Sequence, residues 1–155
     1  MSWTPASPIA GSDQVNFTSP TYGPVEDTAP DNNGKQYAIT SLGGTQAGVF
    51  SHLATAPFTL TFVKPKVIKT LGKPNPTTGV ITSVPRNVYK LITRKGVLPL
   101  AGQPYATMLV TTSIEVVAGS EIADSANVKA AMSAHFGTLY AQSSGLGDSV
   151  LLSIL

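Results

Sequence analysis

A chain of 155 residues with no cysteine and a formal net charge of +2 fits one domain, spanning 1–155, and excludes disulfides and thiolate metal sites. Charged residues make up only 12% of it, so the surface is polar mainly through hydroxyls, which suits a protein that hides much of that surface against copies of itself. The small net charge conceals a segregation: no acid lies between Asp31 and Glu115, and that interval holds Lys35, Lys64, Lys66, Lys69, Lys73, Arg86, Lys90, Arg94 and Lys95.

The N-terminal MSWTPASPIAGSDQ lacks the positive start and the apolar run of a signal peptide, so no export is expected. No apolar run approaches the roughly 20 residues needed to cross a bilayer, so no membrane partner is expected either. Residues 1–56 read as an extended, hairpin and loop region, with short extended segments at 15–18 and 36–40 around the turn signal DNNGK at 31–35. SLGGTQAGVF at 41–50 reads as a glycine-rich loop or loose edge hairpin. It lacks the Gly-Lys-Ser/Thr ending that phosphate cradling requires, which removes support for a nucleotide site.

Residues 57–118 carry the main strands. Phe58, Leu60 and Phe62 alternate with Thr59 and Thr61, the period-two pattern of a half-buried strand, and Pro65 ends it. After the turn-rich KTLGKPNPTTG at 69–79, the stretch RNVYKLITRKGV at 86–97 alternates cations with hydrophobes. YATMLVTTSIEVV at 105–117 places Ala106, Met108, Val110, Thr112, Ile114 and Val116 on one face, and mostly hydroxyl-bearing residues on the other. From Gly119 the period changes. Val128, Met132, His135, Phe136 and Leu139 recur at three- and four-residue spacing, predicting an amphipathic helix over about 124–142 with Asp124 as N-cap. SSGLGD at 143–148 is expected to break it, with SVLLSIL as a second short helix or packed tail. Strands first and helices last, with the helical part over about 120–155, predict an α+β fold: an antiparallel sheet with helices on one face.

Support for catalysis is thin. His135 lies on the apolar stripe of the helix, where a core or interface role is expected, and His52 has no identifiable partner. No catalytic residue, metal site, cofactor or small-molecule substrate is expected. Nucleic-acid binding is better supported: Val88, Lys90, Ile92 and Arg94 share one strand face, and Tyr89, Leu91 and Thr93 the other. If Tyr89 and Leu91 pack under the helices, Lys90 and Arg94 emerge beside the hydroxyls of the next strand, a surface suited to single-stranded RNA. A solvated sheet face usually mixes both signs of charge, and the 86–97 strand carries four cations and no acid. Lys64, Lys66 and Arg86 extend the candidate RNA-binding set. The stripe Val128, Met132, Phe136 and Leu139 is the candidate dimer seam.

VPRNVYKLITRKGV with its following Gly/Pro loop, the long YATMLVTTSIEVV strand and the closing ADSANVKAAMSAHFGTLYAQ helix with a short apolar tail together resemble the coat proteins of single-stranded RNA bacteriophages. The resemblance covers about 57–155 in order of elements. It implies an N-terminal hairpin before the sheet, and two C-terminal helices that pack across the sheet of a second subunit. It further implies intertwined dimers closing into an icosahedral shell, found in the virion and assembled in the cytoplasm of the bacterial host. The inward sheet face would then bind genomic RNA and recognise a hairpin that represses replicase translation. Matched by position, Lys90 and Arg94 take the basic inward positions of the middle strand. Thr111, Ser113 and Glu115 take the polar face of the last strand, and Thr59 and Thr61 the hydroxyl positions of the earlier one. Val88 and Ile92 stand where the family often has more polar side chains, which favours general RNA packaging over recognition of one hairpin. The competing readings are a cellular β-rich nucleic-acid-binding or adhesin-like module without shell assembly, and a small hydrolase.

Overall fold

The computed structural model describes residues 2–154. Six strands, β1 (Ile9–Ala10), β2 (Phe17–Asp27), β3 (Gly34–Gln46), β4 (Phe58–Val63), β5 (Arg86–Val97) and β6 (Ala106–Val117), form one antiparallel sheet in sequence order. Three helices follow: α1 (Ser120–Ala123), α2 (Ser125–Ala141) and α3 (Ser143–Leu152). The expected α+β order of sheet, then helices, is the one observed.

Alternation along the strands sorts the sheet into two faces. One carries Phe62, Asn87, Tyr89, Ile114 and Val116, which with Ile68, Glu121, Val128 and Met132 line a cavity of about 430 Å³ beneath the start of α2. On this side Trp3 stacks on Phe62 with ring centroids 5.3 Å apart and meets Tyr37 edge-on at 5.5 Å. Phe62 in turn stacks on Tyr89. The other face carries Lys90 and Arg94, so Tyr89 faces α2 across this cavity while the two cations point away from it.

Two expectations are corrected, and a third holds in position only. Residues 41–46 are strand rather than loop, because β3 runs through Gly43 and Gly44 against β2 with register shifts near Thr18–Thr21 and Gly23–Pro24. The glycines serve close approach: a Cβ on Gly43 would run into Thr21 Oγ1, and one on Gly23 into Ser41 Oγ. SSGLGD is not the helix breaker, since α3 begins at Ser143 and the break is the single residue Gln142. Asp124 stands at the N-cap of α2, yet it caps no backbone amide. Its carboxylate instead accepts from Asn127 Nδ2 at 2.8 and 2.9 Å.

The interior of the single chain is small. Among the described residues, only Tyr37, Ala38, Ile39, Ala56 and Ala118 are buried hydrophobics, and no residue of the three helices is buried. The chain exposes 10620 Å², whereas a compact monomer of 16.0 kDa exposes roughly 7,400 Å². The apolar stripe of α2 is therefore divided. Val128 and Met132 are half-buried over the chain's own sheet, while Phe136 and Leu139 are exposed. Farther along, the helix end meets the N-terminal segment, where Ser12 Oγ donates to the Tyr140 carbonyl at 2.8 Å.

Candidate nucleic-acid interface

The register of β4, β5 and β6 lays out the open face row by row. Lys90 stands opposite Val63 and Ser113, Ile92 opposite Thr61 and Thr111, and Arg94 opposite Thr59 and Leu109. Arg86 and Val88 continue the β5 positions beside Val117 and Glu115. Eight of the candidate RNA-binding residues, Thr59, Thr61, Arg86, Lys90, Arg94, Thr111, Ser113 and Glu115, thus share one face. Lys90, Thr111 and Ser113 are exposed on it.

Lys64 and Lys66 are placed elsewhere. Lys64 lines a hollow with Trp3, Asn33 and Phe62, on the aromatic side of the sheet. Lys66 pairs with Asp31 at 3.2 Å beside the β2–β3 turn. Both follow Val63, the last residue of β4, so strand alternation no longer directs them to the open face.

Thr59 and Thr61 reach that face but not its surface, being 4% and 1% exposed. Arg94 lies over them, donating from Nη1 to Thr61 Oγ1 at 2.7 Å. Thr61 Oγ1 donates in turn to Gln36 Oε1 at 3.0 Å. The sequence pattern presents these threonines as open hydroxyls, whereas the fold covers them with side chains from neighbouring strands. Gln36, absent from the sequence-derived set, enters through the pairing Gln36–Thr61 between β3 and β4. The period-two alternation of β3 could have placed it, had that strand been recognised at full length.

Charge on the face is unequal. Arg86 Nη1 pairs with Glu115 Oε2 at 3.3 Å, a solvent-exposed contact worth little in itself. Among the described residues, no carboxylate lies within ion-pair distance of Lys90 or Arg94. Lys95, on the opposite face of the same strand, donates to the Phe50 carbonyl and lies 4.4 Å from the centroid of the Phe58 ring. Its ammonium pKa is lowered by desolvation.

The histidines take structural positions. His52 Nδ1 accepts from the Phe58 amide at 3.0 Å, and His52 N donates to the Ile39 carbonyl at 2.6 Å. His135, expected in a core or interface, is exposed in the single chain and sits edge-on to Phe136.

No family model matches the sequence, and no curated protein matches it. Among solved structures, the virus-like particle of bacteriophage ESE020 contains a chain that is 50% identical over 99% of this chain and 100% of its own, with a TM-score of 0.96. The chain belongs to the bacteriophage capsid-protein family. Membership assigns a structural role in the virion, in agreement with the sequence reading of a non-enzymatic, self-associating protein. In this capsid protein the six-stranded sheet is the platform, and its two faces differ in chemistry. One carries the aromatic packing and the helices, and the other presents, among hydroxyls, Lys90 and Arg94, which have no carboxylate partner among the described residues.

Proposed function

We propose that this capsid protein forms dimers that close into an icosahedral shell around single-stranded genomic RNA, holding the RNA on the Lys90–Arg94 face. The observation that carries the RNA assignment is that Lys90 and Arg94 have no carboxylate partner among the described residues, on a face that also offers the hydroxyls of Thr111 and Ser113. Cations so placed neutralise phosphates, and hydroxyls beside them reach bases. Recognition of a genomic hairpin, with repression of replicase translation, belongs to the same surface.

Dimer formation is supported by the unpaired edge of β6, a 12-residue strand. Such an edge is a template for pairing with another chain. It is also supported by Phe136, Leu139, Val150, Leu151 and Leu152, apolar side chains exposed along α2 and α3. Packing these helices across the sheet of a second subunit covers them, and the excess surface of the single chain has the scale of an obligate interface.

The test is filter binding of purified dimers to several RNAs over a salt series. Replacing Lys90 and Arg94 together by Ala weakens binding across all sequences and flattens the salt slope by about two units. Thr111→Ala or Ser113→Ala shifts preference among hairpins with the slope unchanged. Wild-type affinity and slope in the double variant would show that this face meets something other than RNA.

A further inference from the structure

A chain of hydrogen bonds crosses four strands on the open face. Arg94 Nη1 on β5 donates to Thr61 Oγ1 on β4 at 2.7 Å, and Thr61 Oγ1 donates to Gln36 Oε1 on β3 at 3.0 Å. Gln36 Nε2 then donates to Asp27 Oδ2 on β2 at 2.8 Å. Register explains the continuity, since Asp27, Gln36 and Thr61 stand directly opposite one another across β2, β3 and β4.

The direction of every bond is fixed from the Asp27 end. A carboxylate only accepts, and the Thr28 carbonyl lies 3.4 Å from the same Gln36 nitrogen, so the amide NH₂ must point toward β2. Gln36 Oε1 therefore faces Thr61 and takes its hydroxyl proton. The oxygen lone pairs of Thr61 are then left for Arg94. Asp27 is itself held by the Thr28 amide at 2.8 Å. An anion at one end and a cation at the other make each link stronger than an isolated neutral bond. Neither Asp27 nor Gln36 has another evident task on this face.

We propose that Gln36 and Asp27 are positioning residues that act through Thr61 to hold the Arg94 guanidinium in one place on the open face, leaving its remaining donors for RNA phosphate. The inference rests on the RNA-binding role proposed above for Arg94. It also gives the buried hydroxyl of Thr61 a function: it orients the arginine and does not itself touch RNA.

The experiment measures the salt dependence of RNA binding by wild-type dimers and by the Gln36→Leu, Arg94→Ala and combined variants, with circular dichroism confirming the fold. Gln36→Leu removes no charge, yet it is expected to weaken binding by roughly two- to tenfold and to flatten the salt slope toward that of Arg94→Ala. Adding Gln36→Leu to Arg94→Ala produces no further loss, as coupling through one side chain requires. Thr61→Val, near-isosteric and interrupting the same chain, gives the same pattern and serves if Gln36→Leu does not fold. If Arg94→Ala lowers affinity and slope while Gln36→Leu and Thr61→Val leave both at wild type, the positioning role is overturned and the RNA reading stands. If Arg94→Ala itself changes neither, the RNA-binding role of Arg94 fails, and the positioning role with it.

Discussion

Asn87 grips the backbone of Lys69 from both sides, its Nδ2 donating to the Lys69 carbonyl at 3.0 Å and its Oδ1 accepting from the Lys69 amide at 2.8 Å. The side chain takes the place of a strand rung and pins the start of the long connection between β4 and β5 to the sheet. Asn87 is only 4% exposed and both hydrogen bonds are partly shielded from water, so removing it leaves the Lys69 amide and carbonyl without these partners. Asn87→Ala should cost about 1–3 kcal/mol, read as a lower thermal midpoint together with faster hydrogen exchange at the Lys69 amide. Unchanged exchange at that amide would show that the grip does not hold the connection.

Gly96 lies where a second segment crosses β5. A Cβ there would stand 2.6 Å from Ala56 Cα, and Ala56 is fully buried. Gly96 N also donates to the Pro57 carbonyl at 2.7 Å, which holds the two backbones at this spacing. Gly96→Ala is expected to destabilise by about 1–3 kcal/mol through overpacking, measured by urea titration of the purified protein. A variant as stable as wild type would mean that the crossing can widen without loss.

Phe136 is 41% exposed in the single chain and sits on the part of α2 that leaves the sheet uncovered. If the helix closes a dimer seam, truncating this ring costs about 3–5 kcal/mol of association. Phe136→Ala should therefore abolish soluble assembly in sedimentation or size-exclusion measurements. A stable, monodisperse Phe136→Ala monomer with native circular dichroism would count decisively against the seam.

The Asp27 carboxyl is held below the usual carboxylate range, first by the hydrogen bond from Gln36 and then by that from the Thr28 amide. A depressed folded-state value means that the group's contribution to stability is present above the unfolded-state pKa, near 3.9, and is lost as pH falls through the folded value. Wild type should lose stability more steeply than Asp27→Asn on acidification below about pH 4, with the two profiles parallel near neutrality. Parallel profiles throughout the acid range would show that Asp27 gains nothing from Gln36.

The strands β4, β5 and β6 are legible because their alternation is uninterrupted, and the face that holds Lys90 and Arg94 follows from it directly. β2 and β3 are not, because Pro20, Pro24, Gly23, Gly43 and Gly44 mimic loop composition. Their reason for being there lies in cross-strand contacts such as Gly23 against Ser41 and Gly43 against Thr21. α3 is hidden in the same way: a Cβ on Gly147 would stand 2.6 Å from Gln14 Oε1, so that glycine marks a close approach and not a helix end. The burial of Thr61 is not legible for another reason. It depends on where Arg94 and Gln36, 33 and 25 residues away in sequence, lay their long side chains.

The scarcity of buried apolar side chains within one chain has a consequence for how the protein persists. Folding free energy that resides in contacts between chains follows mass action, so the melting temperature should climb with protein concentration, and dilution should act as a denaturant. A newly made subunit is then at its most vulnerable to proteolysis when it is rarest. As copies accumulate, each addition protects those already present, and a culture should pass from degraded chains to durable ones over a narrow range of expression level.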